Sequence, residues 1–278
     1  MEKNSSKIPK VTIVTPSFNQ GEFLEETIQS VLNQTYSNLE YIIVDGGSTD
    51  GSVDIIKKYE DKLAWWVSEP DNGQSEAINK GFEHATGEIF NWLNSDDVLY
   101  PEAVRIAVHF MQKYPGREVV FGDRIVLDER GHILDAFEPV SANKTIARFN
   151  FRIPQEATFF TSRVWRKVGG LNESLHFTMD ADLWQRFMQE TSFFHIPFLL
   201  GAFRDHPGSK SVYGLGKTHD KEALKEIHYL RKHYSGAFSR IKTLRRAMQY
   251  VNMIRQMYER NKRSRRLMKE EIRELLSG

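Results

Sequence analysis

The sequence predicts an α/β chain: a mainly parallel, doubly wound sheet flanked by helices, with a helical extension at its C-terminal end. Three observations carry this. Four short apolar or β-branched runs alternate with amphipathic stretches over residues 10–97. A loop rich in Gly, Asn, Asp and Ser follows each run. Beyond about residue 215 the alternation gives way to helical periodicity with a heavy basic excess. Strands alternating with helices pack as right-handed crossovers, which collect the loops after the strands along one edge. An open α/β sheet binds its ligand at that edge.

The first strand is Val11-Thr12-Ile13-Val14-Thr15, stopped by Pro16-Ser17-Phe18-Asn19-Gln20-Gly21. From Glu22 to Asn33 apolar residues fall at 24, 28, 31 and 32, a helical stripe. Tyr41 to Val44 is the second strand and ends in Asp45-Gly46-Gly47-Ser48. A helix over 52–59 leads to a third strand over 63–67, ended by Glu69-Pro70-Asp71-Asn72-Gly73. A helix over 75–84 precedes the fourth strand, Glu88 to Leu93, which stops at Asn94-Ser95-Asp96-Asp97. Pro101 opens a helix to Tyr114, with Asp97 expected to cap it. Strands are then expected at 119–121 and 124–127, with 132–137 returning as a hairpin. The stretch 155–161 is apolar on both parities, so it reads as a central strand. A short helix over 163–168 closes on Gly169-Gly170, a helix over 178–189 carries Asp180 and Asp182, and 193–203 gives one or two strands around Pro197.

The chain has 278 residues, 40% hydrophobic and 27% charged, enough for a large core. Cysteine is absent, which excludes disulfides, thiolate metal ligands and a cysteine nucleophile, and agrees with a reducing cytosol. Met1 to Lys10 lacks the apolar core of a signal peptide, and no run reaches the ~18 apolar residues of a membrane span. A cytoplasmic protein, soluble or peripheral on the inner membrane face, is therefore expected. The net charge of +1 hides an asymmetry. Residues 240–269 hold eleven Lys/Arg against one acid, Glu259, a net of +10. Apolar residues at 241, 244, 248, 251, 254 and 258 give the same stretch an amphipathic helical stripe. Three readings of it stand: docking on the rest of the chain, pairing with another subunit, or lying on an anionic bilayer. No nucleic-acid module accompanies the basic run, so no nucleic-acid partner is expected.

No loop reads GxGxxG or GxxxxGK[ST]. Phosphate handling then falls to a metal on carboxylates, Mn²⁺ or Mg²⁺, which want oxygen ligands. Three consecutive strand ends deliver an acid to one edge, at Asp45, Asp71 and Asp96. Each also reads as a turn acid capping the next helix. Asp96 is the stronger metal candidate of the Asp96-Asp97 pair. Asp180 and Asp182 diverge by roughly 200° on a helix, so they serve different ends. Asp180, at the helix start, can face the cleft and take a proton, or it matches the helix dipole. His206 lies in a polar loop with Arg204 and Lys210. It reads either as a third metal ligand, with Arg204 and Lys210 meeting phosphate, or as an exposed loop histidine.

Together these residues resemble the family-2 glycosyltransferases of the GT-A fold, over about residues 10–212. The matching pieces are Val14-Thr15-Pro16-Ser17-Phe18-Asn19, Val44-Asp45-Gly46-Gly47-Ser48-Thr49-Asp50, Ser68-Glu69-Pro70-Asp71-Asn72-Gly73, Leu93-Asn94-Ser95-Asp96-Asp97 and Met179-Asp180-Ala181-Asp182-Leu183-Trp184. The resemblance implies a catalytic domain over 1–215, with a donor half about 10–97 and an acceptor half about 98–215, followed by an extension over 216–278. It implies a nucleotide-sugar, UDP-linked by preference, with Pro16, Phe18 and Asn19 bordering the nucleotide. Asp45 would bond the base and Asp71 the base or ribose. Asn94-Ser95-Asp96 matches the family's DxD motif, with Asn94 on the ribose and Asp96 the main protein carboxylate on Mn²⁺ or Mg²⁺, helped by His206. Asp180 matches the catalytic base, with Met179 where a Glu is usual. The implied reaction is inverting transfer to a hydroxyl of a glycan or lipid-linked acceptor, as in cell-envelope polysaccharide synthesis. Two other functions are weighed against it. A sugar nucleotidyltransferase would carry an early basic Gly-rich loop, which 16–21 lacks, whereas Asn94 fits a catalytically weak sugar-nucleotide-binding protein.

Overall fold

The structure is a computed structural model and describes residues 8–137, 153–209 and 221–234. The strands are β1 (Val11–Ser17), β2 (Leu39–Asp45), β3 (Trp65–Ser68), β4 (Ile89–Trp92), β5 (Val98–Leu99), β6 (Val119–Leu127), β7 (Ile133–Phe137), β8 (Thr158–Thr161) and β9 (Phe193–Arg204). The helices are α1 (Gly21–Leu32), α2 (Ser52–Lys58), α3 (Gln74–Glu83), α4 (Ala103–Lys113), α5 (Ser162–Val168), α6 (Met179–Glu190) and α7 (Lys221–Tyr234). They form one sheet in the order β3-β2-β1-β4-β8-β6-β9-β5, with β7 on β6.

The first half is the expected crossover sheet. β1 pairs in parallel with β2 and β4, and β2 with β3. Register matters most at the carboxyl ends. Ser17 lies opposite Asp45, and Asp45 opposite Ser68, so three strands stop level with one another. β4 pairs Trp92 with Val14, and Leu93 N–H bonds Val14 C=O at 2.9 Å. The chain from Leu93 to Asp97 therefore runs out beside the end of β1.

The second half mixes directions. β8 is central, as its double-sided apolarity predicts, and antiparallel to both β4 and β6. It starts only at Thr158, so Gln155 and Glu156 precede it at the sheet edge. The two expected strands 119–121 and 124–127 are one strand, β6, with its register shifted around Gly122 and Asp123. β9 runs unbroken through Pro197 beside that irregularity. β5, a two-residue strand on β9, carries no periodicity long enough to read.

Two large apolar clusters cover the faces of the sheet, and a small third one gathers Ile125, Leu127 and Ala202. Val11, Ile13 and Ile43 meet α1 and α4 through Leu24, Ile28 and Phe110. On the other face Val14, Ile42, Val44, Phe90 and Trp92 meet α3, α5 and α6, where Trp184 stacks on Trp92 at 5.5 Å. The alternation along β1 follows from the two-residue period of a strand. Among the described residues no helix is long and apolar enough to cross a membrane. The basic stretch 240–269 and Lys210 lie outside the described residues.

Candidate active site

The loops after β1 to β4 meet α6, β6 and the end of β9 around a cleft of about 1600 Å³. Pro16, Phe18 and Asn19 line its donor side, and Phe18 is 59% exposed, an aromatic face open to solvent. Asn19 holds the rim together. Its backbone N–H donates to Ser48 Oγ (2.8 Å), and its side-chain oxygen accepts from Thr49 N–H (2.9 Å). It adopts φ 51°, a left-handed conformation that asparagine tolerates better than most residues.

Asp45 does not reach the cleft. It is fully buried, and its carboxylate accepts from Gly47 and Ser48 N–H and from the Ser48 and Ser68 hydroxyls, at 2.6–3.1 Å. Its expected bond to a base is therefore replaced by a bond set that folds its own turn. The residues that turn presents are Gly46 and Gly47. A side chain at Gly46 would collide with Asp71, whose Oδ2 lies 2.8 Å from a Cβ built there. Asp71 does line the cleft, braced by Gly73 N–H at 2.9 Å.

Asn94, Ser95 and Asp96 all line the cleft. The Asn94 amide is used at both ends: Oδ1 accepts from Gln74 Nε2 (2.6 Å), and Nδ2 donates to Asp97 Oδ2 (3.1 Å). An amide does both at once, where an ionised carboxylate could only accept. A second carboxylate at 94 would face Asp97 as a like charge. Asp97 is 1% exposed, and burial, with Asp96 and Glu156 nearby, holds its carboxyl well above the ordinary range. It is not the expected helix cap. α4 starts at Ala103 after Glu102, while Asp97 Oδ1 accepts from the backbone N–H of Arg204 (3.0 Å). Asp97 thus ties the β4 loop to β9.

Asp96 and His206 meet, although far apart in sequence. Asp96 Oδ2 lies 3.0 Å from His206 Nε2, and the imidazole packs on Phe23 at 4.7 Å. Gly208 N–H donates to Nδ1 (3.2 Å), which assigns the ring proton to Nε2. The Asp96 carboxylate suits a divalent cation that draws its other ligands from phosphates and water. His206 can join it through Nε2 once the ring proton moves to Nδ1, at the loss of the Gly208 bond. Among the described residues no group of three or more His, Cys, Asp or Glu gathers for a metal. Arg204, expected on phosphate, is instead spent inside the fold. Its guanidinium side chain is 2% exposed and bonds Asp96 C=O, Asp128 C=O and Glu26.

Asp180 lines the same cleft from the first turn of α6. Burial pushes its carboxyl up to about 6, against the opposing pull of the Ala181 N–H and the Arg124 charge. A carboxyl with that value is half ionised in mildly acidic water and ionised at neutral pH, as a general base requires. Asp182 points elsewhere, as the helical angle demands: it is buried and accepts from Arg186 Nε (2.9 Å) and Tyr234 Oη (2.7 Å). Met179 faces the donor half, its sulfur 2.9 Å from Ser75 Oγ.

Two cleft residues were not picked out from the sequence. Glu156 is 1% exposed and sits 3.4 Å from Arg124 Nη1. The signal was present: a charge at the mouth of a central apolar strand must have a buried partner.

The profile described as Glycosyl transferase family 2 matches residues 12–164. An uncharacterized glycosyltransferase of Rickettsia typhi is 30% identical over 230 residues, which cover 80% of this chain and 72% of that protein. Among solved structures, S. aureus TarS 1-349 in complex with UDP-GlcNAc superposes with a TM-score of 0.61 at 17% identity, covering 72% of this chain. The mannosyltransferase PcManGT from Pyrobaculum calidifontis, in complex with GDP-Man and Mn²⁺, gives 0.56 at 20% identity, again over 72% of this chain. The chain spans 60% of the first structure and 57% of the second. Their likeness is one of fold, and that fold is GT-A. With the profile covering more than half of its length, the chain belongs to glycosyl transferase family 2 and is a glycosyltransferase.

Proposed function

We propose that this enzyme transfers a sugar, with inversion, from a UDP-sugar to a hydroxyl of a glycan or lipid-linked acceptor. The observation that carries the reading is one cleft lined both by Asp180, a carboxyl pushed up to about 6, and by the Asp96–His206 pair. The nucleotide-sugars held by the TarS and PcManGT structures support a donor of that kind.

The donor half has the parts to hold a nucleotide. Phe18 offers a face for the base, Gly46 and Gly47 let backbone approach it, and Asp71 is placed to accept from base or ribose. Asp96 and His206 would hold Mn²⁺ or Mg²⁺. When bound there, the cation neutralises charge on the departing diphosphate. In the same cleft, Asp180 accepts the proton of the acceptor hydroxyl as its oxygen bonds the anomeric carbon. The bond from that carbon to the diphosphate oxygen breaks, and its electron pair leaves with UDP. Attack from the face opposite the leaving group inverts the anomeric centre, as in other inverting glycosyl transfers that activate the nucleophile with one carboxylate.

The pH dependence follows with a definite sign. Asp180 must be ionised, so kcat/KM is expected to fall as pH drops through about 6. A pH profile with UDP-sugar donors, with the product anomer read by NMR, tests this. An acidic limb near 6 with inverted product supports the reading; a profile flat down to pH 5, or retained configuration, contradicts it.

A further inference from the structure

The loop that leads into Asp180 is held by a residue outside the family-matched region. Glu226, on α7, accepts four hydrogen bonds from it. Its Oε1 takes the His176 N–H (2.8 Å). Its Oε2 takes the N–H groups of Phe177 (2.9 Å) and Thr178 (3.0 Å) and the Thr178 hydroxyl (3.1 Å). Three successive backbone amides form a concavity that suits an anion. Here the anion is a carboxylate from another helix, set where the positive end of α6 also favours it. Thr178 itself makes no side-chain cap. At the far end of α7, Tyr234 Oη donates to Asp182 Oδ1 (2.7 Å). α7 is therefore pinned at two points, to the loop before α6 and to Asp182 within it, one on either side of Asp180 in sequence.

The same loop touches the donor half. Ser75 Oγ donates to Leu175 C=O (3.0 Å), and a Cβ built on Gly73 would stand 3.4 Å from the His176 ring. His176 and Phe177 line the cleft beside Asp180. Whatever fixes residues 176–178 fixes both the wall of the cleft and the direction of the Asp180 carboxyl.

We propose that Glu226 is a positioning residue for transfer, so that α7 is part of the catalytic unit and not an appendage to it. The inference rests on the reading of Asp180 as base. It works through geometry: a catalytic group displaced by about 1 Å loses on the order of a hundredfold in rate.

The test uses full-length protein with Glu226→Ala, Glu226→Gln and Asp180→Asn. Melting temperature, UDP affinity, kcat and the pH profile of kcat are measured for each. Glu226→Ala is expected to lose roughly tenfold to a hundredfold in kcat, with a displaced acidic limb and UDP affinity within about twofold of wild type. Glu226→Gln should recover part of the loss, since one amide oxygen can still take the Phe177 and Thr178 bonds. Wild-type kcat and acidic limb in Glu226→Ala overturn the inference. So does a loss of kcat and UDP affinity together, in proportion to a lost folded fraction. If Asp180→Asn turns over normally, the base reading falls whatever Glu226 does. If Asp180→Asn is inactive while Glu226→Ala is normal, the positioning role alone falls.

Discussion

Asp180→Asn is expected to bind donor as the wild type does and to lose transfer by about 10²–10⁴. The amide keeps the volume of the carboxyl and can still accept the Ala181 N–H that now bonds Asp180 Oδ1 at 2.7 Å. It cannot take a proton from the acceptor. Stability should move the other way. Burial raises the Asp180 carboxyl to about 6, so ionising it works against the folded state. That cost is complete above about pH 6 and absent well below the unfolded carboxyl value. Removing the charge should therefore stabilise the protein at neutral pH by roughly 1–2 kcal/mol, after allowance for partial exposure. The gain should disappear near pH 3.5. A higher melting temperature at pH 7.5, combined with lost turnover, is the signature of a carboxyl kept for chemistry at the expense of stability. Normal turnover would remove Asp180 from the mechanism.

Arg204→Met should give the largest loss of stability, about 3 kcal/mol. The guanidinium bonds Asp96 C=O at 3.0 Å and Asp128 C=O at 3.3 Å, and lies over the Phe23 ring at 5.1 Å. Its third partner, Glu26, is 58% exposed on its side chain and can turn to water when the arginine is gone. Both carbonyls lose this donor. Since the Asp128 C=O keeps the Gly131 N–H at 3.1 Å, most of the cost falls on the Asp96 C=O and on the charge and packing of the buried guanidinium. Since one of them belongs to Asp96, donor binding should weaken along with the fold. Thermal denaturation and UDP titration of the same sample check both effects. An unchanged melting temperature would show that the guanidinium contributes little to this junction.

The donor half was largely legible because its signals are local. Short strands, breaker loops and acids at strand ends all fall within ten residues of one another, and register then stacks them at one edge. The pairing of Asp96 with His206 was legible for a different reason: both are polar residues in loops that follow strands of the same sheet. Asp45 shows the limit. An acid after a strand looks the same whether it points out to a ligand or down into its own turn. What decides is the set of donors around it, and one of these, Ser68, comes from the neighbouring strand. Glu156, Arg124 and Glu226 were missed on similar grounds. Arg124 sits on β6 and Glu156 just before β8, where the apolar pattern of the strands dominates. Glu226 acts across 50 residues of sequence on backbone amides, which carry no residue-type signal at all. The Asn94 substitution, which taken alone fits a weakened enzyme, finds its reason in the buried Asp97 beside it.

Calorimetric titration of UDP into wild-type and Asp96→Ala protein, each with and without Mn²⁺, tests most directly that the cleft is a metal-assisted nucleotide-sugar site. Wild type should bind UDP more tightly with Mn²⁺, and Asp96→Ala should lose that gain, with affinity at least roughly tenfold weaker in Mn²⁺. Equal UDP affinity in both proteins, with and without Mn²⁺, would contradict the assignment of Asp96 and His206.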